Sequence, residues 1–283
     1  MKKALIIGSS VCDVNIFVHE FPHLSGDENI LHQNMSMGGC AWNVASLLRE
    51  QKLPYTLFSP VGQGIYGEFV KAHFHQYHIP ILIETKQNNG CCYCVVDQHG
   101  ERTFLCEHGG EYHYQKDWFA QLDMSEYQCI YICGLEIEDD HHHIIYDFLK
   151  DYPHLPLYFA PGPRLCHIPK QDMEDILSLH PIVHLNQKEL LEYTQQTNML
   201  QGCQCLYQKT QNAIVVTLGK DGCYFYQPSH SLTVPSPQVS VYNTNGAGDT
   251  HMGALIASRM QGDDWYTALQ KANHAAALKI STQ

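Results

Sequence analysis

The stretch Asn243-Thr244-Asn245-Gly246-Ala247-Gly248-Asp249-Thr250 is a glycine-rich turn that ends in one carboxylate. The residues beyond it, Met252-Gly253-Ala254-Leu255-Ile256-Ala257-Ser258-Arg259-Met260, read as a helix. A small-residue loop at a helix start gathers unpaired N–H groups at the positive end of the helix dipole, which is a site for phosphate. Phosphate repels a neighbouring Asp, so Asp249 needs a chemical reason to be there. A carboxylate so placed can take the proton of a hydroxyl that attacks phosphorus. The plainer reading is an ordinary helix start with Asp249 as the capping residue.

The 283 residues suit one large domain, or one domain with a small appendage. A formal net charge of -12 with only 17 Lys and Arg argues against nucleic acid or an anionic membrane surface as partner. No apolar run approaches bilayer length. Met1-Lys2-Lys3 before Ala4-Leu5-Ile6-Ile7 imitates a signal peptide, but Gly8-Ser9-Ser10 breaks the run. It reads as a first buried strand, and the expected location is cytoplasmic.

Twelve cysteines show no disulfide framework. Cys91-Cys92-Tyr93-Cys94 has a C-x-x-C spacing, yet it lies in a strand, where neighbouring side chains point to opposite faces. Reduced, structural thiols are expected. His141-His142-His143 after Asp139-Asp140 hints at metal, but an Asp-capped helix with solvated His residues is the simpler reading.

Strands are expected at Ala4–Ile7, Tyr55–Val61, Cys129–Cys133, Leu157–Phe159, Ile182–Leu185 and Ala213–Leu218. Helices are expected over Ala41–Glu50, Gly67–Tyr77, His142–Lys150, Asp172–Ser178 and Lys188–Thr194. From about residue 117 the alternation implies a parallel sheet with helices on both faces. Asp13–Val18, Asn29–Met35 and a hairpin of Cys91–Asp97 with Thr103–Glu107 fall outside that rhythm. They suit a small β appendage, such as a lid over one edge of a site.

Other residues join the turn as candidates. Gly38-Gly39 opens the helix that carries Asn43; such a pair lets a ligand approach the backbone, and Asn43 offers a polyol both a donor and an acceptor. A plain turn with a surface Asn is the alternative. Asp13 follows the first strand, where open α/β sheets bind ligands, and it is equally readable as a loop Asp. Asn186 and Glu189 follow another strand and could hold hydrated magnesium near triphosphate oxygens, or could simply cap a helix. Thr217-Leu218-Gly219-Lys220-Asp221-Gly222 is either a nucleotide-side loop or a hairpin turn.

In their joint order these segments resemble the ribokinase-like (PfkB-type) carbohydrate kinase family, over nearly the whole chain. Thr244–Asp249 is similar to its Thr-x-Gly-Ala-Gly-Asp signature, and Gly38-Gly39 through Gly67 to its N-terminal signature. Asn186 with Glu189 matches its Asn-x-x-Glu motif, and Thr217-Leu218-Gly219 a nucleotide-contacting loop; Asn273 falls where members line the adenine pocket. The resemblance implies a single kinase domain over 1–283, a three-layer α/β/α fold with a mostly parallel central sheet and a small β lid. The lid strands would come from about 13–36 and 90–107.

It further implies transfer of the γ-phosphoryl of ATP to a sugar hydroxyl. Asp249 would be the base, and the N–H groups of Gly246, Ala247 and Gly248 the anion hole. Asp13, Gly38, Gly39 and Asn43 would grip the acceptor. Asn186, Thr217, Gly219, Gly222 and Asn273 would serve the nucleotide, and Glu189 the Mg2+. A homodimer through the lid is a further expectation.

Some positions depart from the family pattern. Asn243 stands where the signature usually begins with Asp, near the monovalent-cation site of some members, which leaves K+ dependence open. Gly64 stands where Val-Gly-x-Asp is common. Trp42 either stacks on a ring or packs in the core, with packing preferred, and Glu111 and Arg102 in the lid region either reach the substrate or, as preferred, lie at the solvated surface. The alternatives are a nucleoside kinase of the pseudouridine kinase type and, in another class, a catalytically weak sugar- or nucleotide-binding sensor on a kinase fold. A nicotinamide-dependent oxidoreductase is disfavoured because Gly8-Ser9-Ser10 is not G-x-G-x-x-G.

Overall fold

The computed structural model describes residues 1–140, 143–242 and 244–281. In chain order the N-terminal part holds β1 (Lys3–Ile7), β2 (Val11–Val18), β3 (Ile30–Gly38), α1 (Cys40–Glu50), β4 (Tyr55–Phe58), β5 (Val61–Gln63), α2 (Gly64–Gln76), β6 (Glu84–Asn88), β7 (Cys91–Val96) and β8 (Arg102–Glu107). The rest holds β9 (Tyr127–Cys133), α3 (Gly134–Glu138), α4 (Ile144–Lys150), β10 (Leu157–Ala160), α5 (Lys170–Ser178), β11 (Ile182–Asn186), α6 (Gln187–Thr194), α7 (Met199–Thr210) and β12 (Ile214–Thr217). The chain closes with β13 (Cys223–Gln227), β14 (His230–Val234), α8 (Ala247–Met260) and α9 (Trp265–Ser281).

Eight strands form the main sheet in the order β14-β13-β12-β11-β10-β9-β1-β4. All its pairs from β12 to β4 are parallel, whereas β13 and β14 join as an antiparallel edge. The central strands are apolar on both faces, as a sheet covered twice requires. Ala4 and Ile6 pack with Val44, Leu48, Leu255 and Leu269 of one helical layer. Leu5 and Ile7 point the other way, to the cluster of Ile145, Ile176, Leu190 and Leu206. The result is three layers, with α1, α2, α8 and α9 on one side of the sheet and α4 to α7 on the other.

A second sheet has the order β3-β2-β7-β8. The alternation along β2 sets its two faces. Cys12, Val14 and Ile16 pack toward Tyr66 and Phe69 of α2, while Asp13, Asn15 and Phe17 line a cavity. Where β7 and β8 join the body, Gly90 and Gly109 cross so closely that a Cβ on either would meet backbone oxygen within 2.3 Å. The buried Glu111 carboxylate accepts from both of their N–H groups, at 2.9 and 3.1 Å. Glu111 is therefore not the solvated residue expected from sequence.

Other differences are local. The expected strand Tyr55–Val61 divides into β4 and β5, because Ser59-Pro60 turns the chain out of the main sheet and β5 pairs with β6 instead. The second helix starts at Gly64, where φ is 79°. All twelve cysteines are free. Thiols along β7 alternate as expected, but Cys92 meets Cys106 across the β7–β8 ladder, with an Sγ–Sγ distance of 3.4 Å. The Asp140 carboxylate caps α4 through the N–H groups of Ile144, Ile145 and Tyr146. His141 and His142 lie outside the described residues. The ring nitrogens of His143 face two carboxylates, Asp172 at 3.5 Å and Asp175 at 3.8 Å, and the three side chains make a group of possible metal ligands. Trp42 packs, stacked on Phe74 at 5.8 Å.

Candidate active site

Asp13, Gly39, Asn43, Thr217 and the N-terminal turn of α8 line neighbouring cavities. Gly246, the N-cap of α8, has φ 68°, a left-handed backbone that glycine adopts without strain. Asp249 sits in the first turn of α8 and is not its cap. Its Oδ2 instead accepts from Asn43 Nδ2 at 2.8 Å, which joins residues 206 apart in sequence.

The loop is a wall shared by three cavities. Thr244, Ala247 and Gly248 line the first, of about 320 Å³, together with Thr217, Gly219, Gly222 and Asn273. Asn245 and Gly246 line the second, of about 500 Å³, with Asp13, Asn15, Asn34, Ser36, Asn43 and Arg102. Asp249 lines a third, of about 140 Å³, with Asp13, Gly39 and Asn43. Asp13 and Asn43 line both the second and the third, which therefore adjoin.

The glycine pair has a structural reason as well. A Cβ on Gly38 would lie 2.2 Å from the Asp13 carboxylate, and one on Gly39 would lie 2.4 Å from Ser9 O. Gly39 also has φ 98°. The pair lets the Asp13 carboxylate and the end of β1 close over the start of α1.

Burial in this space acts on the carboxyls. Asp13 is pushed up to about 7, first by desolvation and then by Cys106 and Asp249. Asp249 is raised by desolvation, against the hydrogen bonds of Asn43 and Cys40, which lower it. A raised carboxyl is a better proton acceptor, which is what attack by a hydroxyl needs. Arg102, expected at the surface, donates from Nη1 to Asn245 Oδ1 at 2.6 Å and so links the small sheet to the loop. No sequence signal marked that bond.

The remaining candidates divide. Asn186 and Glu189 form a reciprocal capping box on α6: Asn186 Oδ1 accepts from Glu189 N at 2.8 Å, and Glu189 Oε2 from Asn186 N at 2.9 Å. They stand beside the first cavity, since Asn186 pairs with Thr217 in the sheet, but they do not line it. The Ala247 N–H donates to Thr244 O at 3.3 Å in this conformation. Asn243 lies outside the described residues.

The model of the pfkB family carbohydrate kinases matches residues 1–283. The chain belongs to that family. It is therefore a phosphotransferase with a hydroxyl group as acceptor. This kinase is 25% identical to the uncharacterized sugar kinase YegV of Escherichia coli K12, over 92% of this chain and 83% of the relative. It is 23% identical to a fructokinase of Vibrio alginolyticus, over 85% of this chain and 84% of that protein. In fold it is similar to the ribokinase of Giardia lamblia, with a TM-score of 0.87 at 21% identity, covering all of this chain and 95% of the other. Among the described residues, no helix of this kinase is long and apolar enough to cross a membrane.

Proposed function

We propose that this kinase moves the γ-phosphoryl group of ATP to a hydroxyl of a sugar, with ATP in the first cavity and the sugar in the second and third. One observation carries the reading: the Thr244–Asp249 loop forms a wall of both spaces and presents its carboxylate only on the acceptor side. The acceptor oxygen attacks the γ-phosphorus, its proton passes to Asp249, and the bond from that phosphorus to the bridging oxygen breaks to release ADP. Asn43 holds the Asp249 carboxylate through Oδ2, and Cys40 bonds it as well, so that the group is oriented toward the hydroxyl. N–H groups of Gly246, Ala247 and Gly248 receive the charge that develops on the phosphoryl oxygens. Ala247 would exchange its weak bond to Thr244 for that role.

The polar lining favours a sugar. Asp13, Asn15, Asn34 and Ser36 crowd one face of the small sheet, and polyols are read by such groups. The Glu189 carboxylate suits magnesium held through water, since one oxygen is already engaged by its cap. Mg2+ would supply charge neutralisation to the triphosphate. Exposed Ile30, Leu31, Phe104 and Leu105 on the small sheet support its use as a lid that also pairs two copies of the chain. Twelve free thiols support a cytoplasmic location.

The test is ATP consumption with magnesium across pentoses, hexoses, their monophosphates, ribonucleosides and pseudouridine, with Asp249→Asn in parallel. Turnover of one sugar that stops in the variant is the expected result. Turnover of nucleosides alone, or ATP binding without any turnover, would overturn the sugar assignment.

A further inference from the structure

A buried polar chain that the transfer reaction does not use runs inward from the wall of the first cavity, which His251 and Asn273 line. His184 on β11 and His251 on α8 are 4% and 2% exposed, and Asn273 on α9 is 3% exposed. His184 Nε2 and His251 Nδ1 are 2.8 Å apart, and His251 Nε2 is 3.1 Å from Asn273 Oδ1. Asn273 Nδ2 donates to Val234 O at 2.9 Å and to Pro235 O at 3.3 Å.

The far end of this chain fixes every proton in it. Two backbone carbonyls accept only, so the Asn273 amide must turn its NH2 to them and its oxygen to His251. His251 Nε2 must then carry a hydrogen. With both rings neutral, His251 Nδ1 is an acceptor and His184 Nε2 is the donor. Desolvation keeps both rings neutral, pushing His251 down to about 4 and His184 well below the usual histidine range.

Val234 is the last residue of β14, and the described residues between it and α8 have no regular structure. Ser236, Pro237, Gln238, Val239 and Val241 from that segment wall the first cavity. Asn273 therefore ties the root of this wall to His251.

We propose that His184 and His251 are positioning residues for the nucleotide, holding Asn273 in the one orientation that anchors the 235–241 wall. This rests on the reading of the first cavity as the ATP site. Asn273 itself lines the first cavity, so this role stands beside the nucleotide contact expected of it.

The test is calorimetric binding of MgADP, together with separate KM values for ATP and acceptor. His251→Leu should weaken MgADP and raise the ATP KM by about tenfold, with kcat and acceptor KM within about twofold of the parent. His251→Gln, which returns an N–H close to the Nε2 position, should recover most of the loss. Asn273→Asp, nearly isosteric, sets a carboxylate against the two carbonyls and should weaken nucleotide in the same direction. This keeps the test open if His251→Leu fails to fold. Unchanged MgADP affinity in folded variants, equal loss for both substrates, or no rescue by Gln would overturn the proposal. If the parent protein itself binds no MgADP, the ATP-site reading falls first and this proposal with it.

Discussion

The two sides of the Thr244–Asp249 loop are built from opposite materials. On the side proposed for the nucleotide the walls include Pro237, Val239, Val241, Ala276, Ala277 and Ile280, with few side-chain charges. On the side proposed for the acceptor they include Asp13, Asn15, Asn34, Ser36, Asn43 and Arg102. A flat aromatic base is held by apolar surface at little cost in specificity. A polyol is held by hydrogen bonds, and every unmatched one penalises the wrong sugar. The first wall belongs to the main domain and the second largely to the small sheet, so the two can change independently in sequence.

The strongest way to break this division is at the shared loop. Asp249→Asn should lower kcat by about 10²- to 10⁴-fold while leaving MgADP affinity nearly unchanged, as read by steady-state kinetics beside calorimetry. Next comes Gly39→Ala, which meets Ser9 O and a φ of 98°. It should destabilise the fold by on the order of 3 kcal/mol in denaturant titration. Its kinetic effect should fall on the acceptor KM rather than on ATP.

A pH series sharpens the comparison. Asp249 and Asp13 both have raised carboxyls, so kcat/KM for the acceptor should climb with pH through about 7, whereas MgADP affinity should not follow that limb. For stability the sign is the reverse. The folded Asp13 carboxyl lies above its unfolded value of 3.8, so the native state loses stability as pH rises between 3.8 and about 7. Asp13→Asn should therefore melt higher than the parent at pH 8, yet bind the acceptor less well. The smallest effect belongs to Val239→Ala, which should raise the ATP KM by about threefold and leave the acceptor KM alone.

The central strands were legible because burial on both faces leaves unbroken apolar runs, as in Ile130-Tyr131-Ile132 and Ile214-Val215-Val216. β6 was not, since Glu84-Thr85-Lys86-Gln87-Asn88 is polar and mostly exposed, and it pairs with the short β5. Helix α7 was hidden for another reason: its buried face is Gly202, Cys203, Leu206 and Thr210, a weak apolar signal. At the site, the residue types and loop order were readable. Asn43 with Asp249, and Arg102 with Asn245, were not readable as pairs, because only the folded topology brings positions 206 and 143 residues apart together. Glu111 and Arg102 misled for the same reason, as charged side chains in a polar stretch that turn inward to backbone amides or to the loop.

The shared loop has a thermodynamic corollary. Any adjustment of residues 244–249 that ATP induces on one side reshapes the boundary that a sugar meets on the other. By linkage, whatever factor the nucleotide imposes on the sugar's dissociation constant, the sugar must impose on the nucleotide's. Two ligands separated by one turn of backbone thus share a single coupling free energy, measurable from either side.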